Sequence, residues 1–259
     1  MTREESSPAT GFAGVIFDVD GVLVDSPHEV AWRESLAELM TGPWRHAAER
    51  SAWSPGAFTS RVYREVLSGK PRHAGALACL EYFEVPDAQR RVSEYAERKQ
   101  AMLLRLIEEG RFDAYADGVR LVMAVRGAGI PVAAASSSKN AHRFLQAIRL
   151  GDYGGGDTTL LDVFDADLSG RDFAEGKPDP EIFLTAAAQL RVTAERCVVV
   201  EDAVSGVQAA KAGAMVALGV ARAGDEHELA HAGADLVVTS LDDVDRDAFV
   251  DGRLARRAR

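Results

Sequence analysis

The sequence predicts an α/β fold built on a mostly parallel sheet with helices on both faces, interrupted by an inserted all-helical domain. Three observations carry this. From about residue 117 onward, short apolar runs alternate with helical patterns, the arrangement that produces parallel strands covered by helices. One more apolar run, Val15-Ile16-Phe17, lies far upstream and stops abruptly at Asp18. Between the two, from about His28 to Glu109, apolar residues recur at helical spacing and no strand of comparable quality occurs. The expected core is therefore a Rossmann-like sheet whose chain detours through a helical cap after its first strand.

Val15-Ile16-Phe17 reads as a buried strand. In the insertion, Trp32, Leu36, Leu39 and Met40 mark a first helix, and Phe58, Val62 and Val66 a second. Leu77, Leu80 and Phe83 mark a third, and Val92, Ala96, Leu103 and Ile107 a fourth. After Asp117-Gly118, Val119, Val122 and Val125 indicate a helix closed by Gly129 and Pro131, and Val132 to Ala135 a strand. Phe144, Leu145 and Ile148 indicate the next helix. Asp179 is expected to cap another, with Pro180 at its first position and Ile182, Phe183, Ala186 and Leu190 along its apolar stripe. Cys197 to Val200 is a strand, Val204 to Ala212 a helix ended by Gly213, Met215 to Leu218 a strand, and Leu236 to Val238 the last clear one. The domain plan is core over 11–27, helical cap over 28–110, core again over 111–250, and a basic, solvated, poorly ordered tail over 251–259. Gly151 to Thr159 reads as a mobile glycine-rich loop; no helix signature follows it, which argues against a phosphate cradle.

Composition narrows the function. The 259 residues carry a formal net charge of −10, a surface that repels nucleic acid. No apolar run approaches the length of a bilayer span, and Met1 to Thr10 is polar, with no secretory h-region. Cys79 and Cys197 lie far apart without metal-ligand spacing and are expected to be buried free thiols in a reducing cytoplasm.

Three apolar strands end in polar clusters: Asp18-Val19-Asp20-Gly21, Ser136-Ser137-Ser138-Lys139-Asn140, and Glu201-Asp202. Ligands of open α/β sheets bind outside the carboxyl ends of the strands, so the fold should bring these clusters together. Asp18, Asp20, Glu201 and Asp202 would then crowd one crevice and raise one another's pKa. Mg2+, a hard cation suited to carboxylate and phosphate oxygens, resolves that conflict. Asp18 is the expected nucleophile, a carboxylate already ionised at neutral pH. Asp20, two residues on and on the same face of an extended strand, is the expected acid and base. Ser136 and neighbouring N–H groups, placed where a helix begins, would hold an anion. Lys177, just before Pro178-Asp179-Pro180, would neutralise both the aspartates and the phosphoryl oxygens.

These four segments resemble the motifs of the haloacid dehalogenase superfamily, in its phosphatase and phosphomutase branch. Phe17 to Leu23 is similar to the nucleophile motif, Ser136 stands at the second motif, Lys177 at the third and Glu201-Asp202 at the fourth. The resemblance covers nearly the whole chain after Gly11 and is strongest toward the β-phosphoglucomutase-like branch, through Ala135 to Asn140. It implies substrate contacts by Ser137, Lys139 and Asn140, and by His28, Lys70, Arg72 and Lys99 of the insertion, with Gly69-Lys70-Pro71-Arg72 as a loop that grips the distal phosphate. Lys99, three residues after Ala96 and four before Leu103, lies on an apolar stripe, where a lysine either snorkels to the surface or points into the crevice beneath a cap. The linker after Asp25 is two residues shorter than in that branch, and the 151–159 loop is longer. The implied activity is isomerisation of a hexose 1-phosphate to its 6-phosphate through an aspartyl-phosphate and a bisphosphate, under a cap that closes over the substrate. A sugar-phosphate phosphatase is the alternative, and a non-catalytic binding protein on the same fold a further one. The implied partner is a small-molecule sugar phosphate, with no nucleic acid and no membrane, bound by a monomer.

Overall fold

The computed structural model describes residues 11–67 and 70–258. Strand β1 (Gly14–Phe17) is followed by the two-residue strand β2 (Val24–Asp25). The insertion then runs through helices α1 (His28–Thr41), α2 (Arg45–Ala48) and α3 (Ser60–Val62), a π-helical turn (Tyr63–Leu67), and helices α4 (Arg72–Tyr82) and α5 (Ala88–Glu108). The chain returns through β3 (Asp113–Ala114), α6 (Ala116–Gly127), β4 (Val132–Ala134), α7 (Ala141–Ala147) and β5 (Ala166–Asp167). It continues with α8 (Glu181–Leu190), β6 (Cys197–Glu201), α9 (Val204–Ala212), β7 (Val216–Val220), α10 (Glu226–His231), β8 (Leu236–Val238) and α11 (Arg246–Val250).

The main sheet has six strands in the order β5-β4-β1-β6-β7-β8, each pair parallel. Its centre is built from the apolar runs because both faces are covered. Ile16, Ala133 and Val199 belong to one core cluster with Phe183 and Ala186 of α8 and Val207 of α9. Their neighbours Val15, Phe17, Val132 and Val198 are equally buried on the opposite face. A separate antiparallel pair, β2 with β3, joins Val24 to Ala114 and Asp25 to Asp113. That pairing sets the unit boundaries. One compact unit takes the chain up to Ser26 and from Asp113 onward, the other Pro27–Phe112. The residues flanking the insertion are thus tied to each other within the core unit.

The insertion has its own apolar core. Trp32, Leu36, Leu39 and Met40 of α1 pack with Ala76, Cys79 and Leu80 of α4 and Tyr95 and Ala96 of α5. The Trp32 and Tyr95 rings meet edge to face at 5.0 Å, and the Tyr95 hydroxyl donates to the Trp32 carbonyl at 3.0 Å. Cys79 and Cys197 are free and buried, and burial pushes their thiols up to about 12 and about 11. Among the described residues, no helix is long and apolar enough to cross a membrane.

Several expectations are corrected. Helix α8 starts at Glu181, one residue late: Asp179 Oδ1 accepts from Glu181 N at 2.9 Å, and Pro180 holds the cap position. The 151–159 segment is a closed turn, with Leu150 N donating to Thr158 O at 3.0 Å and a short 3₁₀ turn at Gly151–Tyr153. The segment after Val250 is no free tail. Asp245 N donates to Ala255 O at 3.0 Å and Arg257 N to Asp243 O at 2.7 Å, while Phe12 N reaches Gly252 O at 3.1 Å. Those backbone pairings hold the segment while Arg253, Arg256 and Arg257 stay exposed to water. Arg259 lies outside the described residues.

Candidate active site

Parallel register aligns the ends of the three central strands. Phe17 pairs with Ala134 on one side and Val200 on the other. Asp18 N then donates to Val200 O at 3.0 Å and Ala135 N to Phe17 O at 2.8 Å. Asp18, Ser136 and Glu201 therefore emerge side by side at one edge, and all three are buried.

Lys177 is the hub. Its Nζ donates to Asp18 Oδ1 and to Glu201 Oε1, both at 2.6 Å, and lies 4.7 Å from the Phe183 ring centre. Burial alone would lower its pKa, but the two carboxylates more than offset that and raise it. Burial raises the Asp18 carboxyl to about 7; Lys177 opposes the rise, and Glu201 and Asp20 add to it. Asp202 is pushed well above the usual carboxylate range, first by burial and then by the charges of Glu201 and Asp18. One ammonium thus faces four carboxylates.

Two glycines make room for this charge. Gly21 has φ +82°, and a Cβ there would lie 1.8 Å from Asp202 Oδ2, so the Asp202 carboxylate rests directly on the turn after Asp20. A Cβ at Gly206, in the first turn of α9, would lie 1.7 Å from Glu201 Oε1. Glu201 has partners at both oxygens: Oε1 takes Lys177, and Oε2 accepts from the N–H groups of Asp202 and Ala203 at 2.9 Å. Among the described residues, no three acidic, histidine or cysteine side chains converge in ligating geometry. The donor set nonetheless fits a hard divalent cation, being all carboxylate and carrying more negative charge than Lys177 neutralises.

Asp18 and Asp20 do come together, but not by the pleat of a strand. β1 ends at Phe17, and both aspartates sit on a turn in which Leu23 N and Val24 N donate to Val19 O at 2.9 and 3.0 Å. Asp20 Oδ2 accepts from Ser136 Oγ at 3.3 Å. Ser136 is not at a helix start: α7 begins at Ala141, and Ser136 Oγ instead accepts from Ser138 N at 3.1 Å. A side-chain-to-backbone turn displaces the helix. Ser137 is exposed, Asn140 is buried at the entry to α7, and Lys139 pairs with Asp172 at the surface, 2.8 Å apart.

In the insertion, Lys99 is buried rather than snorkelling. Its Nζ lies 3.1 Å from His28 Nδ1 and 5.2 Å from the Trp32 ring centre. Arg72 donates to Gln100 Oε1 at 2.7 Å. Neighbouring positions of α5 thus hold the starts of α1 and α4. Lys70 donates to Val66 O at 2.6 Å; Gly69 lies outside the described residues.

Sequence reasoning missed Gly206, Asp117 and Arg222. Gly206 had a signal, a small residue four positions after an acidic pair at a strand end. Asp117 reads as a boundary turn, yet it is buried in the first turn of α6 and takes both Arg222 nitrogens at 2.9 Å.

A family model described as haloacid dehalogenase-like hydrolase matches residues 12–213. The chain is 32% identical over 235 residues to a β-phosphoglucomutase of Bacillus subtilis, covering 89% of this chain and 90% of that one. It is 32% identical over 199 residues to a phosphorylated carbohydrates phosphatase of Thermotoga maritima, covering 76% and 79%. Among solved structures, an archaeal β-phosphoglucomutase from Pyrococcus sp. aligns with a TM-score of 0.68 at 29% identity, covering 92% of this chain and 96% of that one.

Proposed function

The chain belongs to the haloacid dehalogenase-like hydrolase family and is a phosphoryl-transfer enzyme; we propose that it converts β-glucose 1-phosphate to glucose 6-phosphate, with Asp18 carrying the phosphoryl group. The observation that carries this reading is the buried Lys177 ammonium, 2.6 Å from both Asp18 and Glu201. It fixes one Asp18 oxygen and favours the ionised form, leaving Oδ2 as the attacking atom. A carboxylate nucleophile that burial raises to about 7 needs aim, shielding from phosphoryl oxygens and the neighbouring positive charge that keeps it ionised.

The cycle starts from Asp18 as aspartyl-phosphate. The sugar 6-hydroxyl attacks phosphorus, the bond to Asp18 breaks, and Asp20 takes the hydroxyl proton. The resulting bisphosphate turns over. Asp18 then attacks the phosphorus on C1, and the departing C1 oxygen takes the proton back from Asp20. Ser136 donates its single hydroxyl proton to Asp20 in the free enzyme and turns that proton to the transferring group when substrate is bound. Asp18, Asp20, Glu201 and Asp202 would hold Mg2+, which would supply neutralisation of the phosphoryl charge. Arg72 grips the non-reacting phosphate, His28, Lys70 and Lys99 contact the sugar phosphate from the insertion, and Ser137, Lys139 and Asn140 do so from the core. The enzyme acts as a cytoplasmic monomer, a setting in which two free buried thiols are at home.

The likeness to a phosphorylated carbohydrates phosphatase supports a second reading, in which water takes the phosphoryl group from Asp18. Incubation with Mg2+, β-glucose 1-phosphate and a trace of the 1,6-bisphosphate separates the two. Glucose 6-phosphate without free phosphate is the expected result; stoichiometric free phosphate makes the enzyme a phosphatase.

A further inference from the structure

Arg222 follows β7 and touches none of the reacting groups, yet it is wired to the turn that carries Asp20. Its Nε donates to Gly21 O at 3.2 Å and its Nη2 to Val22 O at 3.4 Å. The same guanidinium grips Asp117 with two nitrogens at 2.9 Å and lies 4.0 Å from the Tyr115 ring centre. Asp117 is itself anchored, accepting from Ser240 Oγ at 2.9 Å and Leu241 N at 2.7 Å. The backbone bonds among Val19, Gly21, Leu23 and Val24 close the turn on itself; Arg222 ties its apex to α6, β7 and the segment after β8. From the other side the Asp202 carboxylate rests against Gly21. The apex next to Asp20 is thus held between a cation on its carbonyls and a carboxylate on its Cα.

We propose that Arg222 is a positioning residue for Asp20: by tying the Gly21 and Val22 carbonyls to Asp117, it sets the direction from which Asp20 protonates the leaving oxygen. This rests on the acid role assigned above to Asp20. A bidentate, planar group is required, because one side chain must reach two carboxylate oxygens and two carbonyls at once. A lysine keeps the charge opposite Asp117 but has a single nitrogen.

The test compares kcat/KM for two substrates of similar shape, phenyl phosphate and 4-nitrophenyl phosphate. The first expels a basic phenolate that needs a proton; the second expels one that leaves without it. Since kcat/KM covers only formation of the aspartyl-phosphate, later hydrolysis does not enter. Arg222→Lys is expected to lose about 10- to 100-fold on phenyl phosphate, a share of what a general acid contributes, and no more than about threefold on 4-nitrophenyl phosphate. The double variant Asp117→Asn, Arg222→Gln leaves no buried charge unpaired and is expected to show the same selectivity if Arg222→Lys is too unstable to assay. Asp20→Ala, run alongside, is expected to be selective in the same sense and more severe. Equal losses on both substrates, or none, in the Arg222 variants while Asp20→Ala is selective would overturn the positioning role alone. An unselective Asp20→Ala would overturn the acid role and the positioning role with it.

Discussion

At the scale of single residues, charge accounting explains the site. Four carboxylates and one ammonium at a buried strand edge leave excess negative charge, and Asp202 is the acid resting on the Asp20 turn. Asp202→Ala should therefore raise the Mg2+ concentration for half-maximal activity about tenfold or more, and dialysis against EDTA should silence the wild type. Full activity in EDTA-treated wild type would remove the metal. Asp117 gives a separate expectation. Burial alone would raise its pKa, but hydrogen bonds from Arg222, Leu241 and Ser240 outweigh burial and hold it at about 2. A depressed folded-state value stabilises the fold above the ordinary carboxylate pKa, and that contribution is lost as pH falls from about 4 to about 2. Its size is roughly 2 kcal/mol. The wild type should accordingly lose more thermal stability over that window than Asp117→Asn; parallel pH profiles would show that the Arg222 pair contributes nothing. The sequence made Asp18, Asp20, Lys177 and Glu201-Asp202 readable because each stands at the end of an apolar run or beside a proline-marked helix start. Arg222 and Asp117 were illegible because their partnership spans 105 positions and neither sits in a local pattern.

At the scale of elements, the central strands were legible because they are buried on both faces and so read as unbroken apolar runs. β5, β2 and β3 escaped notice because each is two residues long and too short to show any period. The start of α7 was misjudged because Ser136 and Ser138 cap turns of their own before the helix can begin. The insertion's helices were legible from Trp32, Leu36, Leu80 and Ala96, which do form its core. Its functional side chains are less so. Arg72 already has a partner in Gln100, and a distal phosphate would replace that amide with a bidentate charged acceptor. Arg72→Ala should lower kcat/KM for β-glucose 1-phosphate on the order of a hundredfold, with kcat falling too if remote binding energy drives assembly of the site. Acetyl phosphate has no second phosphate, so its hydrolysis should be nearly unchanged. Equal losses on both substrates would make Arg72 structural.

At the scale of the whole molecule, the chain is an α/β core that carries the candidate site and a helical insertion entered and left through the β2–β3 pair. The core's strand order brings residues from 18 to 202 to one edge, which is why motifs scattered over most of the chain form one cluster. The proposed chemistry turns on a single covalent bond, from Asp18 to phosphorus. Its most direct test is the intact mass of the enzyme, quenched in acid during turnover of β-glucose 1-phosphate with Mg2+, followed by peptide mapping. The expected result is one added phosphoryl group on the peptide containing Asp18, none in Asp18→Asn, and no turnover by that variant despite an unchanged circular dichroism spectrum. Turnover by a clean preparation of Asp18→Asn, or a phosphoryl group mapped to another residue, would contradict it.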